Sequence, residues 1–197
     1  MARRARVLPS TLVADPPWRF DDSLPGKSRG AEKNYRTMTV EEIRAFPVPR
    51  MDADSFLFLW RVSSMVEEAY SVVRAWGFRP VSEIVWMKLT RTGEEVHFGM
   101  GRTVRASHET CIIAKRGKPE RRSASVRSVF AAPVGEHSEK PEAFYRIVEE
   151  LVPGPRVELF ARQRRPGWDC RGLEVDGPEP GFREASANCL DTTVQVR

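Results

Sequence analysis

Cysteine is scarce in this sequence. Only Cys111, Cys170 and Cys189 are present, and they are widely spaced and odd in number. Such a set fits neither a disulfide framework nor a zinc site, so reduced thiols are expected. His97 and His108 have no partners at metal-ligand spacing, and no metal is expected. Long apolar runs are also missing, since no stretch approaches the ~20 residues of a membrane span. We therefore expect a soluble protein without a membrane partner.

A secretory leader is another feature that the sequence does not suggest. Arg3-Arg4-Ala5-Arg6 opens the chain, but no apolar segment of about 7–15 residues follows it. A cytoplasmic protein is expected. The length of 197 residues suffices for one domain with a substantial core and is short for two with linkers.

Lysine is the less common cation here, because only six of the 32 basic residues are Lys. The net charge of +5 and the pI of about 9.4 favour attraction to a polyanion, which makes nucleic acid the expected partner. Arginine suits bidentate phosphate binding, although an Arg-rich solubilising surface is the alternative. The basic residues cluster at Arg3–Arg6, at Arg102 and Arg105, over Lys115–Arg122 and over Arg162–Arg165.

Five apolar segments predict β-strands. Their apolar character is continuous rather than alternating, which is typical of strands covered on both faces in an α/β sheet. They are Thr11–Ala14, Ser55–Val62, Val81–Lys88, His108–Ala114 and Val157–Ala161.

Amphipathic helices are predicted between these strands. Thr39 and Glu42 form a capping box that opens a short helix to Phe46, and further helices are predicted over Met65–Trp76 and Pro141–Val152. Alternation of strands and helices predicts a doubly wound α/β sheet that binds ligands at the carboxyl ends of its strands.

Two irregular segments, Phe20–Lys33 and Glu94–Ser107, each follow the carboxyl end of a predicted strand. We interpret both as mobile loops that could close over a substrate. From Gly177 onward a polar tail is predicted to be poorly ordered.

The tetrapeptide Asp15-Pro16-Pro17-Trp18 follows the first predicted strand. A turn of this kind can hold an exocyclic base amine such as that of adenine. That amine attacks a methyl sulfonium efficiently only when acceptors bind its N–H groups, and Asp15 and the Pro16 carbonyl could be those acceptors. Consecutive prolines fix two φ angles and remove two competing donors, and Trp18 would stack on the base. The alternative is an ordinary strand exit with an exposed acid and a core Trp.

A second group of polar residues surrounds the predicted third helix. Lys140 lies beside the helix start at Pro141, where the helix dipole adds partial positive charge. Lys140 and Arg162 could bind the carboxylate and the sugar of a cofactor such as S-adenosylmethionine. A solvated Lys in a first turn is the alternative for Lys140.

Together these segments resemble the MT-A70 family of S-adenosylmethionine-dependent adenine-N6 methyltransferases, from about Leu12 to about Val175. The ordered set is far more specific than any one motif. The matching segments are Asp15-Pro16-Pro17-Trp18, Tyr35-Arg36-Thr37-Met38, Phe56-Leu57-Phe58-Leu59-Trp60, Glu83-Ile84-Val85-Trp86-Met87-Lys88, His137-Ser138-Glu139-Lys140-Pro141, Glu158-Leu159-Phe160-Ala161-Arg162 and Gly167-Trp168-Asp169.

The resemblance implies a Rossmann-like class I methyltransferase domain of bacterial or phage type over residues 1–176, with a mostly parallel sheet and helices on both faces. It implies S-adenosylmethionine as the cofactor and the first tetrapeptide as the catalytic one. The cofactor-binding residues that it implies are Asp15, His137, Ser138, Lys140, Glu158, Arg162, Gly172, Leu173 and Glu174. The substrate-binding residues are Trp18, Tyr35, Lys88, Arg102 and Arg105.

Within that picture, Lys140 would bind the methionyl carboxylate and Arg162 the ribose, while Glu158 would orient Arg162 or the sugar. Leu173 stands where the family usually has Asn, which removes two hydrogen-bonding groups. DNA is favoured over RNA as the substrate. A catalytically silent nucleic-acid-binding subunit is the alternative function, and a homodimer and a separate partner subunit both stay open.

Overall fold

The computed structural model of the protein describes residues 7–19, 37–101, 103–135, 139–172 and 175. Seven strands and three helices occur within these ranges. The strands are β1 (Thr11–Ala14), β2 (Ser55–Arg61), β3 (Arg79–Leu89), β4 (His108–Arg116), β5 (Val129–Pro133), β6 (Arg156–Leu159) and β7 (Trp168–Arg171). The helices are α1 (Val40–Arg44), α2 (Val66–Ala75) and α3 (Glu142–Leu151).

The strands form one sheet in the spatial order β5-β3-β4-β2-β1-β6-β7. Strand β4 is antiparallel to both of its neighbours, whereas the other neighbouring strands pair in parallel. Six strands therefore end at one edge of the sheet, which we call the carboxyl edge. Because β4 is reversed, it begins at that edge, and its last residues lie at the opposite edge.

Both faces of the sheet are covered, because neighbouring residues of the apolar strands enter different clusters. Leu57 and Leu59 pack in one cluster with residues of α1 and α2. Phe58 and Trp60 pack in the other cluster with Phe144 of α3. A strand buried on both sides needs apolar residues at successive positions, which explains the continuous runs in the sequence.

Helix α1 begins at the predicted capping box. The Thr39 hydroxyl accepts the Glu42 N–H at 3.2 Å, and the Glu42 carboxylate accepts the Thr39 N–H at 2.7 Å. Each bond satisfies a donor that the first helical turn leaves without a partner, and such a cap contributes about 1 kcal/mol. Ile43 is then buried against the sheet.

The predicted fold class is confirmed as a mixed, mostly parallel α/β sheet with helices on both faces. The five predicted strands and three predicted helices are present, with ends displaced by up to two residues. Strands β5 and β7 were missed. The predicted loop over residues 20–33 and the tail from residue 177 lie outside the described residues. None of the three helices is long and apolar enough to cross a membrane.

Candidate active site

Asp15 lies directly after β1, near the middle of the carboxyl edge. The two prolines that follow it close a tight turn, in which the Pro16 carbonyl accepts the Trp18 N–H at 2.8 Å. The Pro17 carbonyl accepts the Met38 N–H at 2.7 Å. The tetrapeptide and the Thr37-Met38 segment, which lie apart in sequence, are thus joined through the backbone.

These two bonds decide which of the two predicted catalytic prolines has a carbonyl that can still accept an amine N–H. The Pro17 carbonyl pairs with Met38, so it is committed to the fold. The Pro16 carbonyl has one local partner and, with two lone pairs, keeps the capacity to accept a second N–H. Pro16 therefore stays a candidate acceptor for an amine.

Trp18 is a core residue and does not present a stacking surface. It is 4% exposed, and its indole N–H donates to the Trp60 carbonyl at 3.0 Å. Almost none of its ring is available to a base, so the predicted stacking role is corrected to a structural one. The indole bond ties the turn after Asp15 to the end of β2, as the core-Trp alternative anticipated.

Lys140 is the centre of the charged network at the carboxyl edge. Its ammonium lies 2.6 Å from the Asp15 carboxylate and 3.3 Å from the Glu109 carboxylate. Glu109 also pairs with Lys88 at 2.5 Å. The Lys140 side chain is only 8% exposed, and its ammonium lies 5.2 Å from the centre of the Trp60 ring. The solvated-Lys alternative for Lys140 is therefore excluded.

The network is electrically balanced, with two carboxylates and two ammonium groups. Burial by itself lowers the pKa of Lys140, but Asp15 and Glu109 outweigh that effect, so the pKa is raised. Burial by itself raises the pKa of Glu109, but Lys140 and Lys88 outweigh it, so the pKa is lowered. Both groups are accordingly charged near neutral pH.

Glu109 is a site residue that the sequence reasoning missed. It is the second residue of β4, and the reversal of that strand brings it to the edge where the other strands end. An acid at the start of an otherwise apolar strand was the available signal. Without the direction of β4, that signal did not show on which edge Glu109 lies.

A second buried carboxylate, Glu158, lies on β6 and accepts the Tyr145 hydroxyl at 2.6 Å. The Cys170 thiol lies 3.9 Å from its other oxygen. Burial raises the pKa of Glu158, and the Tyr145 hydroxyl and Arg165 offset that rise only in part. The Arg165 guanidinium stacks on the Tyr145 ring. These contacts place Glu158 inside the core between α3 and β7, and they correct the expected roles toward Arg162 or a sugar.

The chain reverses sharply after β6. Phe160 has φ of +62°, which is uncommon for a residue with a side chain. The Ala161 N–H donates to the Arg171 carbonyl at 3.0 Å. A Cβ added at Gly172 would lie 2.1 Å from the Ala161 carbonyl oxygen, so only glycine fits there. This turn sets Ala161, the residue before Arg162, against Gly172 beyond the ends of β6 and β7.

A cleft of about 310 Å³ lies at the end of β5 and the start of α3. Its wall carries Lys140 and Arg146 together with Glu139 and Glu142. Cationic and anionic groups thus line the same small space beside the Asp15–Lys140 pair.

The basic run over Lys115–Arg122 is not part of this site. It begins at the end of β4, which is the opposite edge of the sheet. Arg116 donates to the Asp52 carbonyl at 3.0 Å and lies over the Phe78 ring, which is a structural use of its charge. Phosphate contact near the candidate site is therefore expected from other residues.

Several predicted site residues cannot be placed. Tyr35, Arg102, His137, Ser138, Leu173 and Glu174 lie outside the described residues, and their roles stay predictions. The structure brings together Asp15, Lys140 and Lys88 from the predicted set, and it adds Glu109. Within the described ranges, no group of His, Cys, Asp and Glu side chains is arranged to hold a metal ion.

The known proteins that this chain resembles are methyltransferases by name. A family model described as MT-A70 matches residues 9–174. The N(6)-adenosine-methyltransferase catalytic subunit METTL3 of Homo sapiens is 31% identical in an alignment of 173 positions that covers 85% of this chain and 28% of that protein. The N(6)-adenosine-methyltransferase MT-A70-like protein of Drosophila melanogaster is also 31% identical, over 27% of its length. The Type II methyltransferase M.MunI of Mycoplasma sp is 30% identical in an alignment of 185 positions that covers 83% of this chain and 76% of that protein.

Proposed function

Because the chain belongs to the MT-A70 family, we propose that it is an S-adenosylmethionine-dependent methyltransferase that modifies N6 of adenine in nucleic acid. One observation carries the proposal. Asp15 stands at the carboxyl end of β1, an interior strand of the sheet, in a proline turn, 2.6 Å from the buried ammonium of Lys140. Ligands of doubly wound folds bind at this edge.

Asp15 accepts an N–H of the adenine amine in this proposal. Its side chain is 21% exposed, so it is accessible to a ligand while it stays tied to Lys140. A carboxylate offers about four lone-pair sites, and the bond from Lys140 leaves capacity for the amine. The Pro16 carbonyl accepts the second N–H, which localises the nitrogen lone pair for direct attack. The chain's contribution is positioning and electrostatics, without a covalent enzyme intermediate.

Lys140 serves two partners in this arrangement. An ammonium has three N–H donors, and Asp15 and Glu109 account for two of them. The third donor is then available for the methionyl carboxylate of the cofactor, as expected for this residue. Glu109 acts as a positioning residue, because it holds Lys140 and Lys88 in one network.

The residues present fit S-adenosylmethionine. Its methionyl end carries an ammonium and a carboxylate, and the cleft beside Lys140 is lined by residues of both charges. Lys140 would hold the carboxylate, Arg162 the ribose, and the backbone at Gly172 the nucleoside end. When bound, the cofactor supplies a methyl group on a positively charged sulfur.

We favour DNA over RNA as the polymer. A relative named a type II methyltransferase is matched over 76% of its own length, which supports this preference. In a duplex the target adenine must leave the base stack, which costs a few kcal/mol of free energy. A single strand avoids most of that cost. Single-stranded DNA is therefore the substrate with the lowest expected KM.

The test is methyl transfer from radiolabelled S-adenosylmethionine to single-stranded DNA, duplex DNA and RNA, followed by mass spectrometry of the nucleosides. N6-methyladenine is expected with the wild-type chain and not with Asp15→Asn, which keeps the shape of the side chain. Asp54→Asn is the matched control, since Asp54 lies before β2 at the opposite edge of the sheet. Its activity should equal that of the wild type.

The alternative of a catalytically silent subunit is separated by cofactor binding in the same preparations. Binding of nucleic acid without S-adenosylmethionine binding or transfer would favour that alternative. Transfer of methyl to another atom of the base would contradict the assignment of Asp15 and Pro16 as acceptors of the amine.

A further inference from the structure

Exposed apolar side chains are concentrated in one loop, between β3 and β4. Among the described residues, nine large hydrophobic side chains are exposed, and four of them lie within residues 96–104. Single exposed apolar residues are ordinary, but a concentration of them marks a binding surface. Phe98, Met100 and Val104 are 74%, 68% and 75% exposed.

This loop is compact. A Cβ added at Gly99 would lie 2.2 Å from the Ala106 carbonyl oxygen, and one added at Gly101 would lie 2.0 Å from the Val104 carbonyl oxygen. The two glycines therefore let the two arms of the loop touch through their backbones. With the backbones in contact, the apolar side chains are held outward and not folded between the arms.

The loop is anchored to the candidate active site. The His97 N–H donates to the Lys88 carbonyl at 2.8 Å, and the Lys88 N–H donates to the Ser107 carbonyl at 2.9 Å. Lys88 is itself paired with Glu109 in the charged network. Phe98 thus follows His97, whose backbone N–H is hydrogen-bonded to Lys88 of the charged network.

The charge of the loop favours a polyanion over a protein surface of mixed charge. Residues 96–108 include Arg102 and Arg105 and contain no Asp or Glu. The Arg105 guanidinium lies 4.7 Å from the centre of the Phe98 ring, over one of its faces. At 74% exposure, the ring still has surface available for a second planar group.

We propose that Phe98 is a stacking platform for an unpaired base that flanks the target adenine. This inference rests on the proposed function and specifies its substrate as locally single-stranded. Arg105 would stabilise the stack through its cation–π contact and donate to the adjoining phosphate. Base stacking on an aromatic side chain tolerates any sequence, so the contact would add affinity without adding a recognition sequence.

The test combines a protein change with a DNA change. Equilibrium binding of single-stranded oligonucleotides with one adenine is measured for the wild type and for Phe98→Ala, with an abasic residue placed in turn at each flanking position. Phe98→Ala should weaken binding of the intact strand by about 5- to 150-fold. At one flanking position, the abasic strand should bind the two proteins equally. Phe98→Trp should restore tight binding, and Val129→Ala, an exposed apolar control on β5, should bind like the wild type.

The outcomes separate this inference from the proposed function. If the wild type methylates adenine but Phe98→Ala shows no loss of affinity and no coupling to any abasic position, the stacking platform is refuted while the enzyme stands. If Phe98→Ala instead changes the sedimentation of the protein without such coupling, the loop binds protein and the inference is overturned. If the wild type neither binds nor methylates nucleic acid, the proposed function itself fails.

Discussion

Replacing Glu109 with Gln removes one charge from the network and keeps the size of the side chain. Two charge-assisted hydrogen bonds are weakened, the one from Lys88 at 2.5 Å and the one from Lys140 at 3.3 Å. Bonds to charged groups contribute about 1.5–3 kcal/mol each, but the Gln carbonyl retains part of both. Since Glu109 is 29% exposed, solvent reduces the effect further. We expect a loss of about 1–3 kcal/mol in the free energy of unfolding, or roughly 2–12 °C in Tm.

The loss should depend on pH with a defined sign. The pKa of Glu109 is lower in the folded chain than its ordinary value of 4.5. A carboxyl group of this kind contributes stability that is fully present above pH 4.5 and disappears as the pH falls through the lower folded pKa. The difference in unfolding free energy between wild type and Glu109→Gln should therefore be constant near neutral pH. It should shrink in the acidic range below pH 4.5.

The assay is denaturant unfolding at a series of pH values, with methyl transfer measured on the same proteins at pH 7.5. Because Lys140 and Lys88 lose their common partner, kcat should fall by about tenfold or more. Glu83→Gln is the matched control, since Glu83 pairs with Arg61 at 3.4 Å and takes no part in the network. A stability difference that did not change with pH, or a Glu83→Gln variant with the same loss of kcat, would refute the role given to Glu109.

Two further predictions concern the residues behind and beside the site. Burial raises the folded pKa of Glu158 above 4.5, so its charge opposes folding at pH 7. Glu158→Gln should therefore raise Tm at pH 7 and leave it unchanged below pH 4.5. Glu158→Ala should instead lower the free energy of unfolding by about 1–3 kcal/mol, because it leaves the Tyr145 hydroxyl without its acceptor. A Tm for Glu158→Gln below that of the wild type at pH 7 would contradict this. Gly172→Ala should cost about 1–3 kcal/mol because its Cβ meets the Ala161 backbone. Gly167→Ala, with φ of +79° and open space around the added Cβ, should cost only about 1–2 kcal/mol of backbone strain, and thermal unfolding compares the two.

The interior of the fold was predictable because burial on both faces imposes continuous apolar runs. Strands β1 and β2 have that character, and both were found at their predicted starts. Strands β5 and β7, the first and last in the spatial order of the sheet, were not predictable in the same way. In β5 only Ala132 is buried, and β7 has just four residues, so neither carries a run long enough to recognise.

The contents of the candidate site were only partly predictable. Asp15 and Lys140 were both identified as site residues, but their ion pair was not predicted. They lie 125 residues apart in the chain, and no spacing rule reports their contact. Trp18 was misassigned because an aromatic residue after a strand end can equally well pack inward, and here its indole N–H has a buried partner.

The direction of one strand accounts both for the residue that was missed and for the position of the basic run over Lys115–Arg122. Reversal of β4 carries its first residues, including Glu109, to the carboxyl edge, and it carries Lys115 and Arg116 to the opposite edge. Net charge predicts attraction to a polyanion but does not say where the polyanion binds. Because the charged network at the carboxyl edge is balanced, we propose that the flanking loop, where acids are absent between residues 96 and 108 and aromatic surface is exposed, adds to the attraction of a polyanion there. Selectivity for an unpaired base would then follow from the shape of that loop and not from the overall charge of the chain.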